Sequence, residues 1–573
     1  MKKYPAKKDD ISIVLCGAAG QGVQTVEQLL THAFKHSGYN LFSTKEYMSR
    51  VRGGSNSTQL RVSSKTVWAY LDRIDILFPL NREALNHVRR RITPETIILG
   101  ERDNLLGPDD GEDIAIIDIP LSTIASEIGG VIYINIIVTG IISALFAIDK
   151  ESIIDDLKER FSEGHDMVMA NNVRAVRRGY EIGRELITSK TVTISIKKDP
   201  DIADQIIING GEAVAMGAIA GGCNFLSSYP MTPSTAVLTF LAQQSRKFGI
   251  IVEQAEDEIA AMNMAIGAWY AGARGMVTTS GGGFALMTEG LSLAGAVESP
   301  MVIHLAQRPG PATGLPTRTE QGDLDLALYA GHGEFPRVIF APGTLREAFD
   351  LTARAFNLAD KYQVPVFILT DQYFIDSYYN IPRIDVSTFE IERHVVRTEK
   401  GYKRYALTES GVSPRGVPGN GKGLVVVDSD EHDEEGHLTE NHDIRVSMVD
   451  KRLKKRPLLA QEAILPTLSG KTKGTTMIVC WGSVLAIASE AARRIGRNDI
   501  SLVHFSQVYP LHPDTAKILG KAGRLVIVEN NATSQFARIL KIHADIDIET
   551  KITKYSGLAF SVEELEDRLR EVL

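Results

Sequence analysis

Short aliphatic and β-branched runs alternate with helix-period stretches along most of this chain, and that alternation constrains the fold more than any other feature. Ile11–Cys16, Gly275–Thr279, Met301–Ala306, Val364–Thr370 and Thr476–Trp481 read as strands. Between and beyond them, Val23–Ser37, Glu256–Ala271, Thr344–Tyr362 and Val484–Arg494 read as helices. Strands that take turns with helices in this way build largely parallel sheets covered by helices, so the expected class is α/β.

A chain of 573 residues exceeds what one hydrophobic core supports. Residues 1–195 read as a first α/β domain, with further strands expected at Thr66–Tyr70, Thr96–Leu99 and Asp113–Ile117. Residues 196–395 read as a second, with strands also at Ile250–Glu253 and Arg337–Ala341. Residues 396–465 are rich in Gly, Pro and charge and read as an exposed irregular arm ending in the basic run Lys451–Arg456. Residues 466–573 return to the alternation, with strands at Leu502–Phe505 and Leu525–Glu529. The uncharged run Val131–Ile148 approaches the length of a membrane span, but Asn135, Thr139 and Ser143 recur along it and favour a helix buried between domains.

Composition excludes several functions. A formal charge of -8 disfavours a general nucleic-acid or acidic-membrane surface. Three cysteines, Cys16, Cys223 and Cys480, are far too scattered for a disulfide framework and too few to hold an iron–sulfur cluster unaided. The start, MKKYPAKKDD, shows no secretory signal, and a reducing, cytoplasmic setting is expected. His432, His437 and His442 fit no zinc spacing and read as part of a solvated arm, so no metal site is assigned.

Four segments carry chemistry. In Tyr229-Pro230-Met231-Thr232-Pro233-Ser234-Thr235, two prolines hold Thr232 in a stiff loop, and a fixed hydroxyl there suits a small carboxylate ligand. In Glu253-Gln254-Ala255-Glu256-Asp257-Glu258, most acids are expected to cap a helix, while one aimed into a cleft would hydrogen-bond a heterocyclic nitrogen. Ser280-Gly281-Gly282-Gly283 directly follows a strand and lets a ligand or backbone approach closely. Arg308 follows the strand Met301–Ala306, with Arg318 ten residues on. A cation at the carboxyl end of a parallel strand is placed to bind an anion. Near the front, Gly17, Gly20 and Gly22 form a glycine turn before a helix, equally suited to a phosphate or to a tight turn, and Arg52 lies in an Arg/Gly/Ser segment downstream.

Together, YPMTPST, VEQAEDEIAAMNMAIGAWYAGARGMVTTSGGG and LAQRPGPATGLPTRTEQGDL resemble the 2-oxoacid:ferredoxin oxidoreductases, specifically an α subunit with a γ-type domain fused at its N-terminus. GAAGQGVQT and EYMSRVRGGSNS support the fusion, as do YPLHP and VIVENNATSQFARIL at the far end, and the 2-oxoglutarate enzymes are the most similar subtype. The resemblance implies a γ-type domain, a thiamine-fold domain of the pyrimidine-binding type and a transketolase-C-terminal-like domain. It implies CoA-dependent oxidative decarboxylation of a 2-oxoacid, 2-oxoglutarate to succinyl-CoA above others, with electrons passed to ferredoxin. Pyruvate or a branched-chain 2-oxoacid is the alternative substrate. Thiamine diphosphate with Mg would be held mainly by a β subunit that also carries a [4Fe-4S] cluster, in an αβ or (αβ)2 assembly. Carried over by motif, Glu258 would contact the aminopyrimidine of thiamine, with Glu256 the alternative, and Thr232 and Arg308 would take the substrate carboxylate, with Arg318 the second choice. Tyr229 and Ser234 would line the substrate site. Ser280, Gly281 and Gly282 would lie on thiamine, and Gly17, Gly20, Gly22 and Arg52 would take coenzyme A or phosphate.

Two other functions were open to this sequence. A nicotinamide dehydrogenase built on the Gly17 turn would need a ribose-binding acid in the following strand, and His36–Phe42 offers none. A non-catalytic scaffold subunit would have no physical use for a rigid hydroxyl, an acid and a cation around one cleft.

Overall fold

The computed structural model describes residues 4, 6–18, 22–48, 54–107, 114–160 and 166–573. It divides into two units. Met1–Ile208, Ser377–Arg383 and Ser561–Glu563 form one, and Asn209–Asp376, Ile384–Phe560 and Glu564–Leu573 the other.

The first unit is built on an eight-stranded sheet, ordered Ile116–Asp118, Ile97–Gly100, Ile76–Pro79, Asp10–Ala18, Ser55–Ser63, Asn40–Glu46, Tyr378–Ile381, Ile206–Asn209. Asp10–Ala18 pairs parallel with Ile76–Pro79 but antiparallel with Ser55–Ser63, so this sheet is mixed rather than largely parallel. The strand expected at Thr66–Tyr70 is absent. Val67, Ala69 and Leu71 do alternate inward, which produces the strand period. Side chains rather than a neighbouring strand satisfy this backbone: Gln59 Nε2 donates to the Leu71 carbonyl at 2.8 Å and Arg61 Nη1 to the Ala69 carbonyl at 3.0 Å.

The apolar run read as one helix is a 3-10 turn, Val131–Tyr133, followed by the helix Ile134–Leu145. That helix packs against Asp166–Thr188 within the first unit, where a Cβ on Gly140 or Gly179 would overlap the facing backbone. Only glycine permits so close a helix–helix approach. No single helix among the described residues is long and apolar enough to cross a membrane.

The second unit contains two sheets. Seven strands run in the order Ile251–Gln254, Phe225–Ser228, Gly275–Thr279, Met301–Gln307, Pro365–Asp371, Val338–Phe340, Gln507–Tyr509, all parallel up to the last, which pairs antiparallel with Val338–Phe340. The central strands Met301–Gln307 and Pro365–Asp371 are buried along their whole length, as a parallel strand covered on both faces must be. Five more strands run Thr467–Ser469, Ile500–Phe505, Thr476–Trp481, Arg524–Glu529, Thr550–Thr553. Local chemistry sets the helix starts: the Asp257 carboxylate accepts from Ala260 N at 2.7 Å, and Thr344 Oγ1 from Glu347 N at 3.1 Å.

Residues 396–465 are irregular up to the helices His442–Leu453 and Lys455–Gln461, but they are not a solvated arm. Arg404, Tyr405, Arg415, His432, Lys451 and Lys455 are all buried. His432 is stacked on Tyr405, with ring centroids 3.9 Å apart. Lys451 and Lys455 both bond the buried Glu298 carboxylate, while Arg415 and Arg274 share Asp360. The charges that suggested solvent exposure instead fasten the segment to the second unit. Burial favours a neutral Glu298, yet Lys455, Lys451 and Arg404 outweigh it and hold that carboxyl well below the usual range.

Candidate active site

The carboxyl ends of the strands Phe225–Ser228, Ile251–Gln254, Gly275–Thr279 and Met301–Gln307 in the second unit carry most of the predicted site residues. At the start of Glu258–Tyr270, Asp257 is consumed as the cap and Glu256 is exposed, whereas Glu258 is 3% exposed. Its Oε1 is sealed from solvent and has no hydrogen-bond partner among the described residues. Leaving such an acceptor unpaired is costly, so it marks a place where a donor belongs.

The glycine run follows Gly275–Thr279 and opens the short helix Gly281–Leu286. Each glycine faces something different. A Cβ on Gly281 would overlap the Asp323 carboxylate, one on Gly282 would lie 3.6 Å from the Ala312 carbonyl, and one on Gly283 would stand 2.7 Å from Glu258 Oε1. The Ser280 hydroxyl, buried at the head of the run, has no partner either. Below it, the His304 ring lies between Thr278 Oγ1, 2.7 Å from Nδ1, and Thr370 Oγ1, 2.9 Å from Nε2. Burial pushes His304 down to about 3, so the ring is neutral and ties two strand ends together.

Arg308 and Thr232 come together. Arg308 Nη1 donates to the Thr232 carbonyl at 2.7 Å, and its Nε is sealed from solvent with no hydrogen-bond partner among the described residues. The Thr232–Pro233 peptide is cis, and the half-buried Thr232 hydroxyl makes no hydrogen bond to any described residue. Tyr229 is exposed. The Ser234 hydroxyl is buried and donates to the Met231 carbonyl at 2.7 Å, which commits its proton to the loop. The Cβ and Cγ of Arg318 lie against the chain at Gly557, where the neighbouring Thr319 N donates to the Gly557 carbonyl at 3.1 Å.

Three residues that the sequence reading did not single out support this end of the sheet. Asp323 N donates to Gln307 Oε1 at 3.0 Å, and Gln307 Nε2 to the Thr370 carbonyl at 3.1 Å. Gln321 Nε2 donates to the Trp481 carbonyl at 2.9 Å, fastening the loop to the carboxyl-terminal sheet. Asp323 is partly exposed as a residue, but its Oδ2 is sealed and unpaired. Burial, reinforced by Glu320 and opposed by Arg308, lifts its carboxyl to about 7. The acidic run Glu320–Asp323 within TRTEQGDL was the available signal, and surface charge was its ordinary meaning.

In the first unit, Gly17 is paired with Asn56 inside a strand and is not part of a turn. Gly22 caps the helix Val23–His36 with φ 72°, and a Cβ there would overlap the Asn135 amide. Gly20 and Arg52 lie outside the described residues. All three cysteines are free and buried, and burial pushes Cys16 and Cys223 up to about 12.

Two family models match the chain. One, described as pyruvate flavodoxin/ferredoxin oxidoreductase, thiamine diphosphate-binding, covers residues 216–451. The other, pyruvate ferredoxin/flavodoxin oxidoreductase, covers residues 12–182. The 2-oxoacid:ferredoxin oxidoreductase subunit alpha of Sulfolobus sp is 31% identical over 98% of this chain and 97% of its own length. The chain belongs to the 2-oxoacid:ferredoxin oxidoreductases. Another member, the 2-oxoglutarate synthase subunit KorA of Methanocaldococcus jannaschii, is 31% identical over 63% of this chain and 97% of its own length. Among solved structures, a 2-oxoglutarate:ferredoxin oxidoreductase from Magnetococcus marinus, with 2-oxoglutarate, coenzyme A and succinyl-CoA bound, superposes with a TM-score of 0.91 at 30% identity. It covers 99% of this chain and 100% of that one. The chain is thus an α-type subunit of an oxidoreductase, with a multidomain α/β fold.

The residues present fit a thiamine-type heterocycle. Glu258 Oε1 is a sealed acceptor with no partner among the described residues, and a hydrogen-bond donor on a heterocycle would satisfy it.

Proposed function

We propose that this chain supplies the substrate-carboxylate contact and the thiamine-activating acid of a complex that oxidises a 2-oxoacid, 2-oxoglutarate above others, to its acyl-CoA. The observation that carries this reading is Arg308: a guanidinium bonded to the Thr232 loop through Nη1, with a sealed and unpaired Nε, in the unit that holds the unpartnered Glu258. A 2-oxoacid needs a cation for its carboxylate, and a planar guanidinium meets a carboxylate with two donors. Thr232, held between prolines, offers a hydroxyl from the same loop.

Thiamine diphosphate, when bound, supplies the nucleophilic carbon and the electron sink for decarboxylation. Glu258 would accept the hydrogen bond of its aminopyrimidine and favour the tautomer that releases the proton from that carbon. Ser280, Gly281 and Gly282 would give the ring a close-fitting floor. Seclusion of Glu258 strengthens that hydrogen bond, because the low local dielectric leaves the charge little else to interact with. Mg and the diphosphate would be held by a β subunit that also carries the [4Fe-4S] cluster passing electrons to ferredoxin.

The M. jannaschii and M. marinus relatives, both named for 2-oxoglutarate, support that substrate. The Sulfolobus relative is named only for 2-oxoacids, which favours wider use that includes pyruvate or branched-chain acids. The kcat/KM of the assembled complex for 2-oxoglutarate, pyruvate, 2-oxoisovalerate and an aromatic 2-oxoacid separates the two. A clear preference for 2-oxoglutarate is expected, comparable values would establish broad use, and activity with none would overturn the reading.

A further inference from the structure

A cavity of about 250 Å³ lies between the helices Glu258–Tyr270 and Thr288–Ala296 and the irregular segment that follows residue 396, and the proposed reaction does not use it. Its walls are apolar: Ile266 and Trp269 from the first helix, Leu293, Val297 and Pro300 from the second and the turn after it, and the exposed Val427 from the irregular segment. Two buried arginines, Arg404 and Arg415, complete the lining. Arg415 Nη1 donates to the Trp269 carbonyl at 3.2 Å, and its guanidinium lies 5.5 Å from the centre of the Trp269 ring. Its Nε is sealed, with no hydrogen-bond partner among the described residues. Arg404 Nη2 donates to the Glu298 carbonyl at 2.9 Å. Both arginines belong to a buried charge network that is out of balance. Arg274, Arg404, Arg415, Lys451 and Lys455 are its buried cations, and the buried carboxylates bonded to them are Asp360 and Glu298 alone. Asp428, half-buried in the lining, is committed to its own turn, where Oδ1 accepts from Asp430 N at 2.9 Å. Burial lowers Arg415, and Arg274 to about 10, although Asp360 opposes it. Cations buried in excess of their carboxylates are costly, and an anion brought beside them relieves that cost.

We propose that this cavity binds a small apolar monocarboxylate, with Arg415 as the anchor for its charge and the Ile266, Trp269, Leu293 and Val297 walls as the seat for its body. A cavity of roughly 150 Å³ holds benzene, so this one has room for an aromatic ring or a short alkyl chain together with a carboxylate. The guanidinium side selects for negative charge, and the apolar walls select against a second one, since burying an unpaired charge there is costly. A dicarboxylate such as 2-oxoglutarate is therefore a poor occupant. The site is also distinct from the one that holds Glu258. Ile266 and Tyr270 lie two to three turns further along the same helix, roughly 12–18 Å from Glu258 along its axis. Aromatic and aliphatic acids share the chemistry the cavity recognises, and the shape of the body separates them.

The test is calorimetric titration of the assembled complex with 3-phenylpropionate and with hexanoate, neither of which is a 2-oxoacid. Saturable binding of at least one, at a single site per chain, is expected, and the tighter of the two identifies the body as aromatic or aliphatic. For the tighter acid, the corresponding neutral amide keeps the shape without the charge and should bind at least about tenfold more weakly. Arg415→Met removes the anchor and should weaken the acid to the level of the amide. Because Arg415 also pairs with the buried Asp360, that variant could fail to fold. Val427→Trp, at an exposed position, fills the cavity instead; it should weaken the acid at least about tenfold and leave kcat/KM for the 2-oxoacid unchanged. Arg308→Ala should leave binding of the acid as it was. Absence of saturable binding by both acids, equal affinity for acid and amide, or affinity that Val427→Trp does not alter would overturn the proposal. So would loss of binding in Arg308→Ala, which would place the probe at the substrate site.

Discussion

Among the four acids in Glu253–Glu258, function divides by burial rather than by residue type. Glu253 and Glu256 are exposed, Asp257 is spent on its helix cap, and Glu258 alone is buried with an unused oxygen. Glu258→Gln in the assembled complex should lower kcat by about a hundredfold or more and leave KM for the 2-oxoacid near its original value, since the lost interaction serves proton movement and not substrate capture. Glu256→Gln, at the exposed neighbour, should change neither. Steady-state kinetics on the two variants, with thiamine content checked in each, distinguishes a poised acid from general helix-end electrostatics. Equal losses in both would contradict the assignment. Thr232, Glu258 and Arg308 stood out as candidates in the sequence because proline stiffening, a helix start and a strand end each have a local signature. Asp323 showed only an acidic pair with Glu320, whose ordinary meaning is surface charge; its isolation comes from Gly281 and Gln307, which only the fold brings around it.

Elements were most legible where their period was strong and local. The buried, mostly apolar strands of the second unit lie where the sequence put them, within a residue or so, as does its long helix Leu345–Tyr362. Reading failed where polar residues are buried. Asn40–Glu46 and Ser55–Ser63 carry buried Ser43, Thr58, Gln59 and Arg61 and so lacked a strand's apolar pattern. The arm failed for a related reason, because its lysines and arginines are satisfied by carboxylates distant in sequence. Glu298 sits between Lys451 and Lys455, and these two side chains are sealed along with it. Glu298→Ala would strand both ammonium groups and should destabilise the second unit by about 3–5 kcal/mol, read as a lowered denaturation midpoint. Because Glu298 is held below the ordinary carboxyl range, its contribution is present at neutral pH and disappears only as acid carries pH down through the folded-state value. A midpoint unchanged by the substitution would show that the ion cluster does not anchor the arm.

At the scale of the whole molecule, this chain holds, on the proposed reading, one half of a reaction. It places a cation, a hydroxyl and a poised acid at the carboxyl ends of one parallel sheet, while its three buried cysteines lie far apart in sequence. We expect neither this chain alone nor its β partner alone to turn over a 2-oxoacid, and mixing the two under anaerobic conditions to restore activity. Robust oxidation by the isolated chain would contradict that division of labour. The most direct test of the account is anaerobic, CoA-dependent viologen reduction by the assembled complex, comparing the unsubstituted chain with Arg308→Ala. Loss of a charge-assisted contact worth about 1.5–3 kcal/mol should raise KM for the 2-oxoacid roughly ten- to more than a hundredfold, with thiamine and cluster content unchanged. An unaltered KM in a fully loaded Arg308→Ala complex would show that the substrate carboxylate is held elsewhere, and the central claim would fail.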